Sequence, residues 1–143
     1  MDLMTDLAAG LLSGLGYAAI GVALLALGFK VIDWLTPGHL GELVYEHRNA
    51  NAALVASSGL LGIGFIIVTA ILTSEDDFAR GVADAAGYGL LGIVLLAVSF
   101  KVLDALTPGD LGIICTDDEP HPAVWVTAVT HVVMGAVLAA AIS

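Results

Sequence analysis

Long apolar runs separated by short polar stretches set the pattern of the chain. Four runs reach the roughly 20 residues that a helix needs to cross a bilayer core of about 30 Å: Leu7 to Leu35, Ala52 to Leu72, Val82 to Leu106 and Ala123 to Ile142. Each run is apolar on every side. A soluble bundle would keep a polar stripe on its helices, so water is not the expected solvent. The polar connections, Thr36 to Asn51, Thr73 to Gly81 and Thr107 to Pro122, are too short to fold as domains of their own. The pattern predicts an all-α integral membrane protein with four transmembrane helices.

Those four spans read as two copies of one unit. Offset by 71 residues, the chain matches itself at 16 of the 26 positions from Gly16 to Gly41, without a gap. Phe29-Lys30-Val31 meets Phe100-Lys101-Val102, Asp33 meets Asp104, and Leu35-Thr36-Pro37-Gly38 meets Leu106-Thr107-Pro108-Gly109. The second helices have diverged further, keeping Ala52, Val55 and Gly64 against Ala123, Val126 and Gly135. Residues 1–71 and 72–143 are therefore read as tandem two-helix units of one compact membrane domain. With two helices per unit, the second copy re-enters from the side where the first began. The units are then parallel, related by a pseudo-two-fold axis along the membrane normal.

Composition agrees with the apolar pattern: 59% of the residues are hydrophobic and 13% charged, against about 25% charged in soluble domains. A net charge of −10 argues against nucleic acid and against a polybasic lipid-binding patch, since both need clustered cations. The single cysteine, Cys115, leaves no intrachain disulfide or cysteine metal cluster. Met1 to Asp6 lack the basic start of a cleavable signal peptide, so the first apolar run is expected to be retained. Lys30, Arg48 and Lys101 lie near the first and third connections and Arg80 lies opposite. The positive-inside rule then places those connections in the cytoplasm and both termini outside the cytoplasmic membrane.

Helices in lipid associate through small residues. Gly10, Gly14 and Ala18 repeat at four-residue spacing, as do their counterparts Gly81, Ala85 and Gly89. These stripes are the expected helix-packing faces, one building the bundle and the other a homo-oligomer.

The polar residues within or beside the spans are the candidate functional groups. Lys30 and Asp33, and likewise Lys101 and Asp104, are spaced i, i+3 and share a helix face. A parallel repeat puts both pairs at one depth, so Lys30 is able to meet Asp104 while Lys101 meets Asp33. They read either as snorkelling lysines with local partners or as a charged ring lining an ion path. Each Thr-Pro-Gly is a helix stop. Arg48, Asn49 and Asn51 stand where the second span begins, where an asparagine caps the helix and its positive end is suited to an anion or lipid phosphate. His131, inside the fourth span, is expected to make an interhelical hydrogen bond. No nucleophile–base spacing, phosphate loop or metal-ligand set occurs, which predicts a non-enzyme with no catalytic residue, metal or cofactor.

Thr36-Pro37 closing the first span, Leu43, the stretch Asn49-Ala50-Asn51-Ala52-Ala53, and then Ser58-Gly59 with Leu61-Gly62 carry a family likeness. The chain resembles, over essentially its whole length, the YjfL-like small bacterial inner-membrane proteins, the DUF350 family of unknown function. That resemblance implies four spans in tandem two-helix units and, by genomic company, association with envelope-stress, PspA-like or polyamine-related systems. The second copy departs from it, with His121-Pro122-Ala123-Val124 where the first has Ala50-Asn51-Ala52-Ala53. The expected function is a non-enzymatic, oligomeric scaffold or partner-docking subunit of a membrane-stress or transport system. Its partners would be membrane lipids, further copies of itself and a peripheral cytoplasmic protein reached through Glu42, Glu46, Arg48, Asp117, Asp118 and Glu119. The rival expectation is a small oligomeric ion channel or carrier with Lys30, Asp33, Lys101 and Asp104 at its mouth.

Overall fold

The computed structural model describes residues 3–73 and 78–143. The expected connection from Thr73 to Gly81 therefore lies partly outside the described residues. Four long helices, α1 (Leu3–Leu35), α3 (Ala50–Leu72), α4 (Phe78–Leu106) and α6 (Pro122–Ile142), are long and apolar enough to cross a membrane. Two short helices, α2 (Leu40–Tyr45) and α5 (Leu111–Ile114), occupy the first and third connections. The apolar pattern did not signal them, because a helix of one turn has too few residues to show a period.

The long helices begin earlier than their apolar runs: α1 by four residues, α3 by two, α4 by four and α6 by one. Polar capping residues, not apolar ones, mark a helix start, so the hydropathy edge falls late. The stops lie where the sequence puts them. Thr36 and Thr107 donate their hydroxyls to the carbonyls of Ile32 (3.0 Å) and Leu103 (2.8 Å). Gly38 (φ 85°) and Gly109 (φ 108°) then turn the chain through the left-handed region.

Helix α3 is the hub. Half of its most apolar stretch is buried, against 17% for α1 and 28% each for α4 and α6. Gly59 packs on Ile32, and Gly28 on Ile63, an antiparallel register for α1 and α3; Gly89 packs on Leu24, which sets α4 parallel to α1. Helices α3 and α6 run parallel and cross where Gly62 meets Gly135. A Cβ on Gly135 would overlap the Gly62 backbone, and one on Gly62 would stand 2.6 Å from the His131 carbonyl oxygen. Two apolar clusters fill the bundle. One, at the end carrying α2 and α5, gathers Ile32, Leu40, Val55, Phe100, Leu111 and Val124; the other is Leu24, Ile63, Ile67, Ile93 and Leu96.

The two expected packing stripes part company. Gly81, Ala85 and Gly89 are buried in the bundle, whereas Gly10, Gly14 and Ala18 are exposed, and added Cβ atoms at the two glycines would meet nothing within 4 Å. One stripe thus packs the bundle, and the other lies on its outer surface. Gly10 and Gly14 lie on the overhang of α1, whose 33 residues span about 50 Å at 1.5 Å per residue, while Ala18 lies alongside the other helices but is exposed on the outer face. The last described companion of α1 towards the N-terminus is Phe78, which meets Gly16 and sets its ring edge-on to Tyr17 at 5.6 Å. Met4, Leu7, Leu11, Leu12 and Leu15 are all exposed.

Candidate functional site

The polar chemistry gathers at the end that carries α2 and α5. Asp33 accepts a hydrogen bond from the Leu40 N–H at 2.6 Å, and Asp104 accepts one from the Leu111 N–H at 2.9 Å. Both bonds span seven residues, across the Thr-Pro-Gly turn. Leu40 and Leu111 are buried, with 0% and 2% exposure, so a carboxylate satisfies an N–H that the first turn of a helix leaves without a partner. The other carboxylate oxygen faces the lysine one turn earlier: Lys30 to Asp33 at 3.5 Å and Lys101 to Asp104 at 3.6 Å. The crosswise pairing of Lys30 with Asp104 and of Lys101 with Asp33 is not what the structure contains. Each aspartate is held by the short helix that follows it, and the lysine side chains point outward, 65% and 60% exposed.

Asn49 and Asn51 do more than begin α3. The Asn49 side-chain oxygen accepts from the Ala52 N–H at 2.8 Å, an N-cap. Its amide nitrogen donates across the bundle to the carbonyls of Thr116 (3.0 Å) and Asp117 (2.8 Å). Asn51 donates to the carbonyls of Asp117 (3.0 Å) and Glu119 (2.7 Å), and accepts from the His121 N–H at 3.3 Å. Two buried asparagines, 4% and 6% exposed, therefore stitch the first connection to the third. An amide side chain suits this task because it carries two donor hydrogens and an acceptor. Arg48 precedes them in the left-handed region at φ 55°, a conformation that costs a non-glycine residue of order 1 kcal/mol. The Asn49 N–H donates to the Leu43 carbonyl at 2.9 Å, tying the turn back to α2.

Among the described residues the second half of the chain has no counterpart to this clamp. Pro120 and Pro122 stand at the positions of Asn49 and Asn51, and proline has no donor. His121 caps α6 instead, accepting from the Ala123 N–H at 3.2 Å. Cys115, at 0% exposure, is sealed beneath the stitched connections. Burial pushes its thiol up from the ordinary 9.0 to about 11, against a hydrogen bond with Thr127 that lowers it, and the Asp104 carboxylate adds to the rise.

Deeper in the bundle His131 is buried between α3, α4 and α6. Its Nδ1 lies 3.4 Å from the Ser58 hydroxyl, which itself donates to the Val55 carbonyl at 3.0 Å. The Phe100 ring lies alongside at 6.0 Å. The void next to these groups, among Gly28, Ile32, Gly59 and Ile63, has room of about 10 Å³, space for no more than one water. No group of three His, Cys, Asp or Glu residues converges on a metal position among the described residues.

Between the two stitched connections lies an open groove of about 580 Å³, bounded by Leu43, His47, Arg48, Asn49, Thr116 and Asp118. Sequence reasoning singled out Arg48, Asn49 and Asn51 but expected only local capping or an anion. The cross-connection bonds join residues 66 to 69 positions apart, a separation that one sequence does not reveal. The nearest signal was the loss of both asparagines in the second copy.

The family described as Domain of Unknown Function (DUF350) matches residues 6–142. A UPF0719 transmembrane protein of Mycolicibacterium paratuberculosis is 36% identical over 127 residues, covering 89% of this chain and 84% of that protein. UPF0719 transmembrane proteins of Mycobacterium bovis and Mycobacterium tuberculosis are each 32% identical over 140 residues, covering 98% of this chain and 92% of theirs. No solved structure matches the chain.

Proposed function

The chain belongs to the DUF350 family, shared with relatives named as transmembrane proteins, and from that premise we propose that it is a non-enzymatic docking subunit of a membrane-stress or transport system. Its two stitched connections hold a peripheral protein at the cytoplasmic face of the inner membrane, with both termini outside. The observation that carries this reading is the clamp of Asn49 and Asn51 on the third connection. Buried amides that join two surface connections make a rigid, preordered surface, and preordering lowers the entropic cost of binding. Exposed Glu42, Glu46, Arg48, Asp117, Asp118 and Glu119 rim that surface with both signs of charge. Copies of the chain associate through α1, whose Gly10, Gly14 and Ala18 face is open. The alternative of a charged ring around a path is less well supported, because Lys30 and Lys101 lie on the outside and the interior holds two apolar clusters.

Photo-cross-linkers placed at Glu46 and at Asp118 in native membranes test the proposal. One and the same peripheral protein is expected from both sites, none from the lipid-facing Val129, and less from either site after Asn51→Ala. The reading fails if neither site captures a protein while purified protein in liposomes conducts ions in a way that Lys30→Met with Lys101→Met abolishes.

A further inference from the structure

The outer surface of the bundle carries a groove between α1 and α4 of about 470 Å³. Val31 and Leu35 form one wall and Val94, Ala97 and Val98 line the other; among the described residues the groove's one charged residue is Lys101. We propose that this groove binds one anionic phospholipid, with an acyl chain along the aliphatic wall and the phosphate on the Lys101 ammonium.

Charge, depth and free donors carry the assignment. Lys101 stands five residues before the end of α4, about 8 Å along the axis, within reach of the headgroups for a snorkelling lysine. The exposed indoles of Trp34 and Trp125 lie at the same end of the bundle, as expected for the rim of the hydrocarbon layer. The lysine is only loosely engaged. Its Asp104 partner is 3.6 Å away, longer than a hydrogen bond, and the other oxygen of that carboxylate is committed to the Leu111 N–H. An ammonium has three donors, so the amine keeps donors for a phosphate. The outer groove between α3 and α6, with Leu54, Ser57, Leu61, Trp125 and Val129, contains no charged residue among the described residues; it offers an acyl chain nothing by which to select a headgroup.

Native mass spectrometry of the full chain in detergent, titrated with dioleoylphosphatidylglycerol or dioleoylphosphatidylcholine, tests the site. The wild type is expected to retain the anionic lipid about fivefold more tightly, as one interfacial cation provides. Lys101→Met should bring the two lipids to equal retention, Lys101→Arg should keep the preference, and Ala97→Trp should weaken both by filling the groove. Lys30→Met, which alters a cation outside the groove, should leave the preference intact. Equal retention by the wild type overturns the proposal and leaves only ordinary annular lipid. So does a preference that survives Lys101→Met, one that Lys30→Met removes to the same extent, or retention indifferent to Ala97→Trp.

Discussion

The two halves of the chain, offset by 71 residues, share a sequence pattern but not an environment. Where the residues around a position are local, equivalent positions behave alike: both Thr-Pro-Gly turns use a threonine hydroxyl, a left-handed glycine and an aspartate hook across seven residues. Where the surroundings come from other helices, they diverge. Gly135 sits against the Gly62 backbone, while its counterpart Gly64 has nothing within 4 Å of an added Cβ. Asn49 and Asn51 clamp the third connection, and the matching Pro120 and Pro122 carry no donor to return the favour. Similarity along the chain therefore transfers the turns and their aspartate hooks from one half to the other, but neither helix caps nor packing faces.

The contrast is most sharply broken at the helix crossing. Gly135→Val puts side-chain atoms into the backbone of α3, where nothing flexible can yield; a loss of about 3 kcal/mol or more is expected, read as collapse of detergent-resistant folded protein on heating. Gly64→Val, in open space, should change stability by less than about 0.5 kcal/mol. Equal effects at the two positions would mean that the crossing is not where the structure puts it.

A smaller effect is expected at the connections. Asn51→Ala removes the donor to the Asp117 and Glu119 carbonyls and the acceptor for the His121 N–H. Leaving such groups unpaired costs about 1–3 kcal/mol, and limited proteolysis should cut the third connection several times faster. Pro122→Ala, at the matching position, should leave the cutting rate near wild type, because that ring makes no hydrogen bond to lose.

The mildest probe is Cys115, whose counterpart is the partly buried Val44. Burial holds the thiol neutral by raising it to about 11 from 9.0, so maleimide at pH 8 should label it only after unfolding. The folded state binds the proton more tightly than the unfolded chain. The associated stability is thus complete below pH 9 and is lost as pH climbs towards 11. Rapid labelling of the folded protein at pH 8 would show that the stitched connections open readily, and would weaken the case for a rigid platform.

Much of this was legible before any coordinates. Lys30 and Asp33 sit i, i+3 on one face, and their local ion pair follows from helix geometry alone. Asn49 as a cap follows from residue type and place. The second task of each aspartate was not read from the motif, because it depends on the Pro-Gly turn folding the chain back until the Leu40 or Leu111 N–H reaches the carboxylate. The clamp was not visible, since its acceptors are backbone carbonyls, which have no residue identity to read. Nor was the fate of the small-residue stripes: Gly10-Gly14-Ala18 and Gly81-Ala85-Gly89 have the same spacing and size, and only the reach and the side of the neighbouring helices separate the exposed one from the buried one.

What the chain determined by itself is whatever depends on neighbours in sequence. Long apolar runs must become spanning helices because lipid offers the backbone no hydrogen-bond partners, and proline with glycine must end them. What only the tertiary structure decided is which of two equal faces found a companion, which asparagine found a carbonyl, and which lysine stands at the end of a groove. In lipid, apolar surface is no guide to burial, because the solvent is as apolar as the core. Close approach of backbones and pairing of polar groups make that choice, and both depend on residues far away in the chain.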